Sequence, residues 1–195
     1  MEVHLKRIVI VLIVIALAFG VKLYLNKASS GTAIDEIERK RGSIGELLEE
    51  REVRDGEVVF YMRQEGERAP VLSADYVNKS FLGWKWAVGG GHSLPAASGN
   101  ETAWSFQYMD ATKGSFFNHS PFPLVFGTVN NPAITAVTIK SVKTGQETIA
   151  DLITSKSNIT LWYAFIEEEQ GKAFDLTGLA KSGETVSKKH IFDSE

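Results

Sequence analysis

Cysteine is absent from all 195 residues. That excludes disulfides, a thiolate metal centre and a thiol nucleophile. It also removes the lipid-modified cysteine by which a lipoprotein is fastened to a membrane. An excess of either charge is equally missing. The net charge is −3 and the pI about 5.9, which leaves no electrostatic footprint for nucleic acid. Reaction motifs are missing too. The four histidines are scattered, and no acid pair or phosphate-binding loop has a usable spacing.

What is present begins with one long apolar run, Ile8–Leu25, IVIVLIVIALAFGVKLYL. From Ile8 to Val21 every residue is apolar or glycine, and Lys22 is the only charge before Leu25. At helical rise the run spans roughly 27 Å, close to the hydrocarbon thickness of a bilayer. Lys22 lies near one end, where its long stem can carry the ammonium to the headgroups. The expectation is a single-pass anchor that meets membrane lipid through Ile8, Leu12, Ile15 and Phe19. A cleavable signal peptide is the rival, with Lys6 and Arg7 as its basic region and Ala16-Leu17-Ala18 as a cleavage site. Cleavage there would leave a short apolar core, Ile8–Ile15, so the anchor is preferred. The basic tail before the run is how export signals begin, which places the remainder outside the cell. A count of Lys27, Arg39, Lys40 and Arg41 after the run argues the opposite orientation.

Downstream, Asn26–Thr32 is small and polar and reads as a linker. Ala33–Arg54 carries seven acids and five bases. Its sparse apolar residues follow a helical pattern broken by Gly42 and Gly45. Ser43-Ile44-Gly45-Glu46 has capping-box spacing for a second short helix through about Arg51. The segment is expected to be a solvated helical spacer, with a coiled-coil stalk as the alternative.

From Glu57 the apolar period changes to two. Strands are expected at Glu57–Gln64, Val71–Tyr76 and Phe81–Val88, the last followed by a Gly89-Gly90-Gly91-His92-Ser93 loop. Thr102–Met109, Leu124–Val129, Ile134–Val142 and Glu147–Ile153 follow. Asn158–Ile166 is apolar on both faces, the pattern of a central, twice-covered strand. Lys172–Leu176 and Glu184–Phe192 complete the set. The expected fold class is mainly β, an antiparallel β-sandwich or partly open barrel of about eight strands. The resulting division is a tail at 1–7, an anchor at 8–25, a linker and spacer at 26–56, and a β-domain at 57–195.

The stretch Phe122–Ile139, FPLVFGTVNNPAITAVTI, carries Gly127, Val129, Pro132, Ile134, Val137 and Ile139 at positions that recur elsewhere. With Trp162-Tyr163 in the later strand, and Gly183 before Val186, it resembles small exported, membrane-anchored proteins of Gram-positive bacteria with no assigned function. The likeness covers roughly the last 75 residues. It implies export and a β-domain, and it brings no catalytic residues.

Candidate chemistry is sparse. His92 and Ser93 after three glycines suggest a nucleophile near backbone N–H groups, but no nucleophile elbow surrounds them. His92 and His119 with Asp110 lack the spacing of a ligand pair. Neither a cofactor nor a metal is called for. Four N-x-S/T sequons, at Asn78, Asn100, Asn118 and Asn158, read as turn composition. The stronger lead is aromatic. Trp84 and Trp86 fall on one face of a strand, and Trp104, Phe106 and Tyr108 form a second stripe. Exposed, they make a stacking or anchoring surface for a wall glycan or a protein; buried, they are sandwich core. The candidate binding residues are therefore Trp84, Trp86, Gly89, Gly90, Gly91, His92 and Trp104. Three functions compete: a non-catalytic envelope binding module, a sensory or regulatory ectodomain, and a hydrolase using His92 and His119.

Overall fold

A computed structural model describes residues 12–23, 31–64, 69–80, 83–95, 102–110 and 121–192. Residues 8–11 and 24–25 of the expected anchor, Ile8 among them, lie outside the described residues. Residues 12–23 form a helix (α1), and every one of them is exposed, Leu12, Ile15, Phe19 and Lys22 included. Among the described residues no helix is long and apolar enough to cross a membrane.

The rest is mainly β, with twelve described strands in three antiparallel sheets of four. The first sheet has the order β1-β2-β3-β4, built from Leu47–Val53, Gly56–Arg63, Val71–Ser80 and Gly83–Ser93. The second runs β5-β6-β10-β9, from Gln107–Met109, Leu124–Val129, Thr160–Phe165 and Asp151–Thr154. The third runs β12-β11-β7-β8, from Thr185–Ile191, Phe174–Leu179, Ala136–Ser141 and Glu147–Ile149.

The cores show how the sheets stack. Val58, Phe60, Leu72, Ala74 and Tyr76 of the first sheet pack against Leu124, Phe126, Leu161 and Tyr163 of the second. Val125, Trp162 and Ala164, from the other face of the second sheet, pack against Val137, Ile139, Phe174 and Leu176 of the third. The second sheet is thus covered on both sides. That is why β10 is apolar at consecutive positions, and it sits between β6 and β9 as its composition predicts. β8 and β9 read as one strand in the sequence. The chain instead changes sheets at Ala150, whose N–H donates to the Val137 carbonyl at 2.9 Å.

The charged spacer is not a spacer. Ala33–Arg41 forms a helix (α2), capped by Thr32 and Asp35 in a reciprocal box. The Thr32 hydrogen bonds hold the Asp35 carboxyl below the usual carboxylate range. The helix stops at Gly42, whose φ of 86° is the left-handed conformation glycine favours. Ala33 and Ile37 pack on Val59, Tyr61 and Val77, the outer face of the first sheet. The second helix expected from Ser43 is replaced by extended chain. Gly45 N–H donates to Met62 O at 2.9 Å and Met62 N–H to Glu46 O at 2.8 Å. A Cβ on Gly45 would sit 2.6 Å from that same Met62 oxygen, so the glycine permits pairing, not helix capping. β1 then lies at the sheet edge, where its charges are compatible with solvent.

Candidate functional site

β4 is the last strand of the first sheet and carries most of the expected binding residues. The three glycines lie inside it, not in a loop after it, paired with Asp75, Ala74 and Ser73 of β3. Each makes room for a neighbour. A Cβ on Gly89 would fall 1.3 Å from Asp75 Oδ1, one on Gly90 2.6 Å from Gln107 Nε2, and one on Gly91 2.8 Å from Ser73 Oγ. The glycine run is therefore a packing device for side chains that cross the strand.

Two faces must be kept apart. Trp84 and Trp86 sit on the outer face, half-buried beside α2 with Val59, Tyr61 and Val77. His92 pairs with Leu72 and lies on the inner face, its ring 5.7 Å from Phe126. Its Nδ1 is 3.1 Å from Gln107 Oε1, and burial pushes its pKa down. His119 lies outside the described residues. Among the described residues, no group of three or more His, Asp or Glu could hold a metal ion.

Trp104 belongs to neither face. It bridges to Val129, stands edge-on to Trp162 at 6.3 Å and donates its indole N–H to Ser187 Oγ at 3.1 Å. Phe106 and Tyr108 join it against the second core, stacked near Trp162 and Phe174. The two aromatic stripes of the sequence thus cover different sheets and form no common platform.

The centre of the outer face is a residue the sequence reading did not single out. Asp75 is 0% exposed. It accepts hydrogen bonds from Tyr61 Oη at 2.5 Å and from Trp86 Nε1 at 3.1 Å, and Arg41 Nε lies 3.9 Å away. Burial, then the bond to Asp75, raises the Tyr61 pKa well above the ordinary phenol value. Tyr61 is thus a neutral donor, and Asp75 is committed as an acceptor. The arrangement fixes the Tyr61 hydroxyl and the Trp86 indole against one buried side chain. Glu36 of α2 reaches the same region, accepting the Trp86 backbone N–H at 3.1 Å and pairing with Arg39 at 2.6 Å. Trp84 is less committed, with Lys79 Nζ 4.9 Å from its ring centroid. Small residues at 89 and 91, opposite a polar Asp75 and Ser73, were the available signal for this site.

A separate cavity of about 130 Å³ opens between Leu94, Thr128, Val129, Asn130, Asn158 and Ile159. Its lining is mostly apolar, and none of the described residues that line it is charged. Of the sequons, Asn78 donates to the Asp55 carbonyl at 2.8 Å and Asn158 takes a turn φ of 59°. Asn100 and Asn118 lie outside the described residues.

No protein-family model, no curated protein and no solved structure matches this chain.

Proposed function

We propose that the chain is a single-pass, membrane-tethered, non-catalytic module of the cell envelope, with its β-domain outside the cell. It binds a protein or wall-glycan partner at the β4 face, Trp84 making the principal contact and Trp86 fixed beneath it by Asp75. The observation that carries the tether is α1, where Leu12, Leu17 and Phe19 are 60–64% exposed and no residue from 12 to 23 is buried. Each such side chain gains roughly 1.5–3 kcal/mol when removed from water, and lipid supplies that removal. The apolar residues flanking α1 in the sequence bring the run to bilayer length.

Support for binding without turnover comes from the outer face itself. Its carboxylate is fully buried and doubly hydrogen-bonded, and His92 is on the other side of the sheet. A sensory or regulatory ectodomain is the second reading, favoured by α2 lying in sequence between the tether and the face it covers. A photo-crosslinker placed at position 84 of the full chain, in its own envelope, tests the binding reading. A discrete adduct from position 84, absent from position 188 on the third sheet, is expected. Equal labelling from both positions, or none from either, would remove the β4 face as the recognition surface.

A further inference from the structure

The helix α2 is held differently from every sheet. Among the described residues, the two inter-sheet cores contain thirteen and eleven buried hydrophobic residues. The cluster under α2 contains five among the described residues, of which Ala33 and Ile37 come from the helix. Ile34, Trp84 and Trp86 are only partly buried at its margin, and the polar part of the attachment is Glu36 on the Trp86 N–H and Arg41 beside Asp75. A nine-residue helix is also shorter than one that holds itself in water. At its far end the chain turns at Gly42, where φ is 86° and a Cβ would meet nothing within 4 Å. At its near end it leads back to the apolar run. Any pull between the apolar run and the sheets therefore passes through the α2 contact first.

Beneath α2 the face is built without it. Tyr61 on β2 and Trp86 on β4 both donate to Asp75 on β3, two bonds that use no atom of the helix. Ser73, 0% exposed, has no hydrogen-bond partner for its hydroxyl among the described residues. We propose that α2 is a releasable strap. It lifts from the outer face while the three sheets remain folded, uncovering Tyr61, Ser73, Asp75 and Trp86 beside Trp84. This deepens the partner-binding reading by stating when the face is available, and it rests on that reading for its consequence, not for the motion. Local opening of a weakly packed element below the free energy of global unfolding is common in folded domains.

The absence of cysteine makes a direct test possible in the full chain in detergent micelles. Val58 and Val59 are neighbours on β2, both 0% exposed, with Val58 in the inter-sheet core and Val59 under α2. Val59→Cys and Val58→Cys are made singly and labelled with a thiol reagent under native conditions. Release of α2 alone predicts that position 59 labels at least tenfold faster than position 58. Adding Ile37→Ala should accelerate labelling at 59 a further tenfold and leave 58 unchanged. Equal rates at the two positions mean that only global unfolding exposes the face, which overturns the strap. A faster rate at 59 that ignores Ile37→Ala overturns it as well. No partner enters the assay, so failure of crosslinking at position 84 and failure of the strap are read separately.

Discussion

Replacing Gly89 by alanine should be among the most damaging single-methyl changes in the protein. The new Cβ would lie 1.3 Å from Asp75 Oδ1 and 2.5 Å from its Cγ, and Asp75 has no exposed surface into which to retreat. The carboxylate must rotate away, which breaks the Trp86 bond to Oδ1 and strains the Tyr61 bond to Oδ2. A hydrogen bond to a charged group contributes about 1.5–3 kcal/mol, and forced overpacking costs about 1–3 kcal/mol. We expect a total near 4 kcal/mol, a fall in Tm of about 8–16 °C for a domain of this size. Urea and thermal unfolding of the full chain in detergent, followed by far-UV circular dichroism, measure it. The decisive arm is a double-mutant cycle with Asp75→Ala. That change alone costs about 3–5 kcal/mol, because it strands buried donors. In its background the two clashing atoms are gone, the nearest remaining contact of Gly89→Ala is the Cβ at position 75, at 3.3 Å, and the change should cost less than about 1 kcal/mol. An interaction energy of at least about 2 kcal/mol is therefore predicted. Additive costs would refute the claim that Gly89 is there to make room for Asp75.

Other outcomes follow from the same geometry. Trp86→Ala should destabilise by about 3–5 kcal/mol and Trp84→Ala by about 1 kcal/mol or less, because only Trp86 is hydrogen-bonded to the buried carboxylate; paired urea melts compare them. Trp162→Ala, at 0% exposure between Trp104 and Phe106, should cost about 3–5 kcal/mol in the same assay. His92 titrates below the ordinary value of 6.5 in the folded state, so the unfolded chain takes up that proton first as pH falls. Its contribution is complete above pH 6.5 and is lost progressively below it, until the folded imidazole protonates. His92→Gln should flatten that part of the stability profile, and an unchanged slope would show that His92 does not titrate under strain.

The sequence announced the strands whose surroundings are uniform. β6 matches its expected bounds, and β10 was legible as a twice-covered strand because both its faces meet apolar sheets. The charged segment before residue 57 was misread for a physical reason. An edge strand and a short helix packed through Ala33 and Ile37 bury so few apolar residues that their pattern resembles a solvated helix. About eight strands were expected where twelve are described, partly because a strand that changes sheets at Ala150 leaves no break in composition. The aromatic stripes were found, but not their partners. Which face Trp84, Trp86 and Trp104 occupy depends on β3, on α2 and on the third sheet, and strand alternation carries none of that. Asp75 escaped notice because a single acid within a strand ordinarily points to water. Only the register that sets it against Gly89 shows why it does not.

The central claim is a β-domain held to a membrane by the apolar run around α1, and alkaline carbonate extraction of native membranes tests it most directly. The intact chain should stay in the membrane pellet, and a variant with Leu12, Ile15 and Phe19 all changed to Asp should move to the supernatant with its β-domain still folded. Release of the intact chain into the supernatant, or recovery of a natural product beginning at Phe19, would contradict the tether and make the run a cleaved export signal.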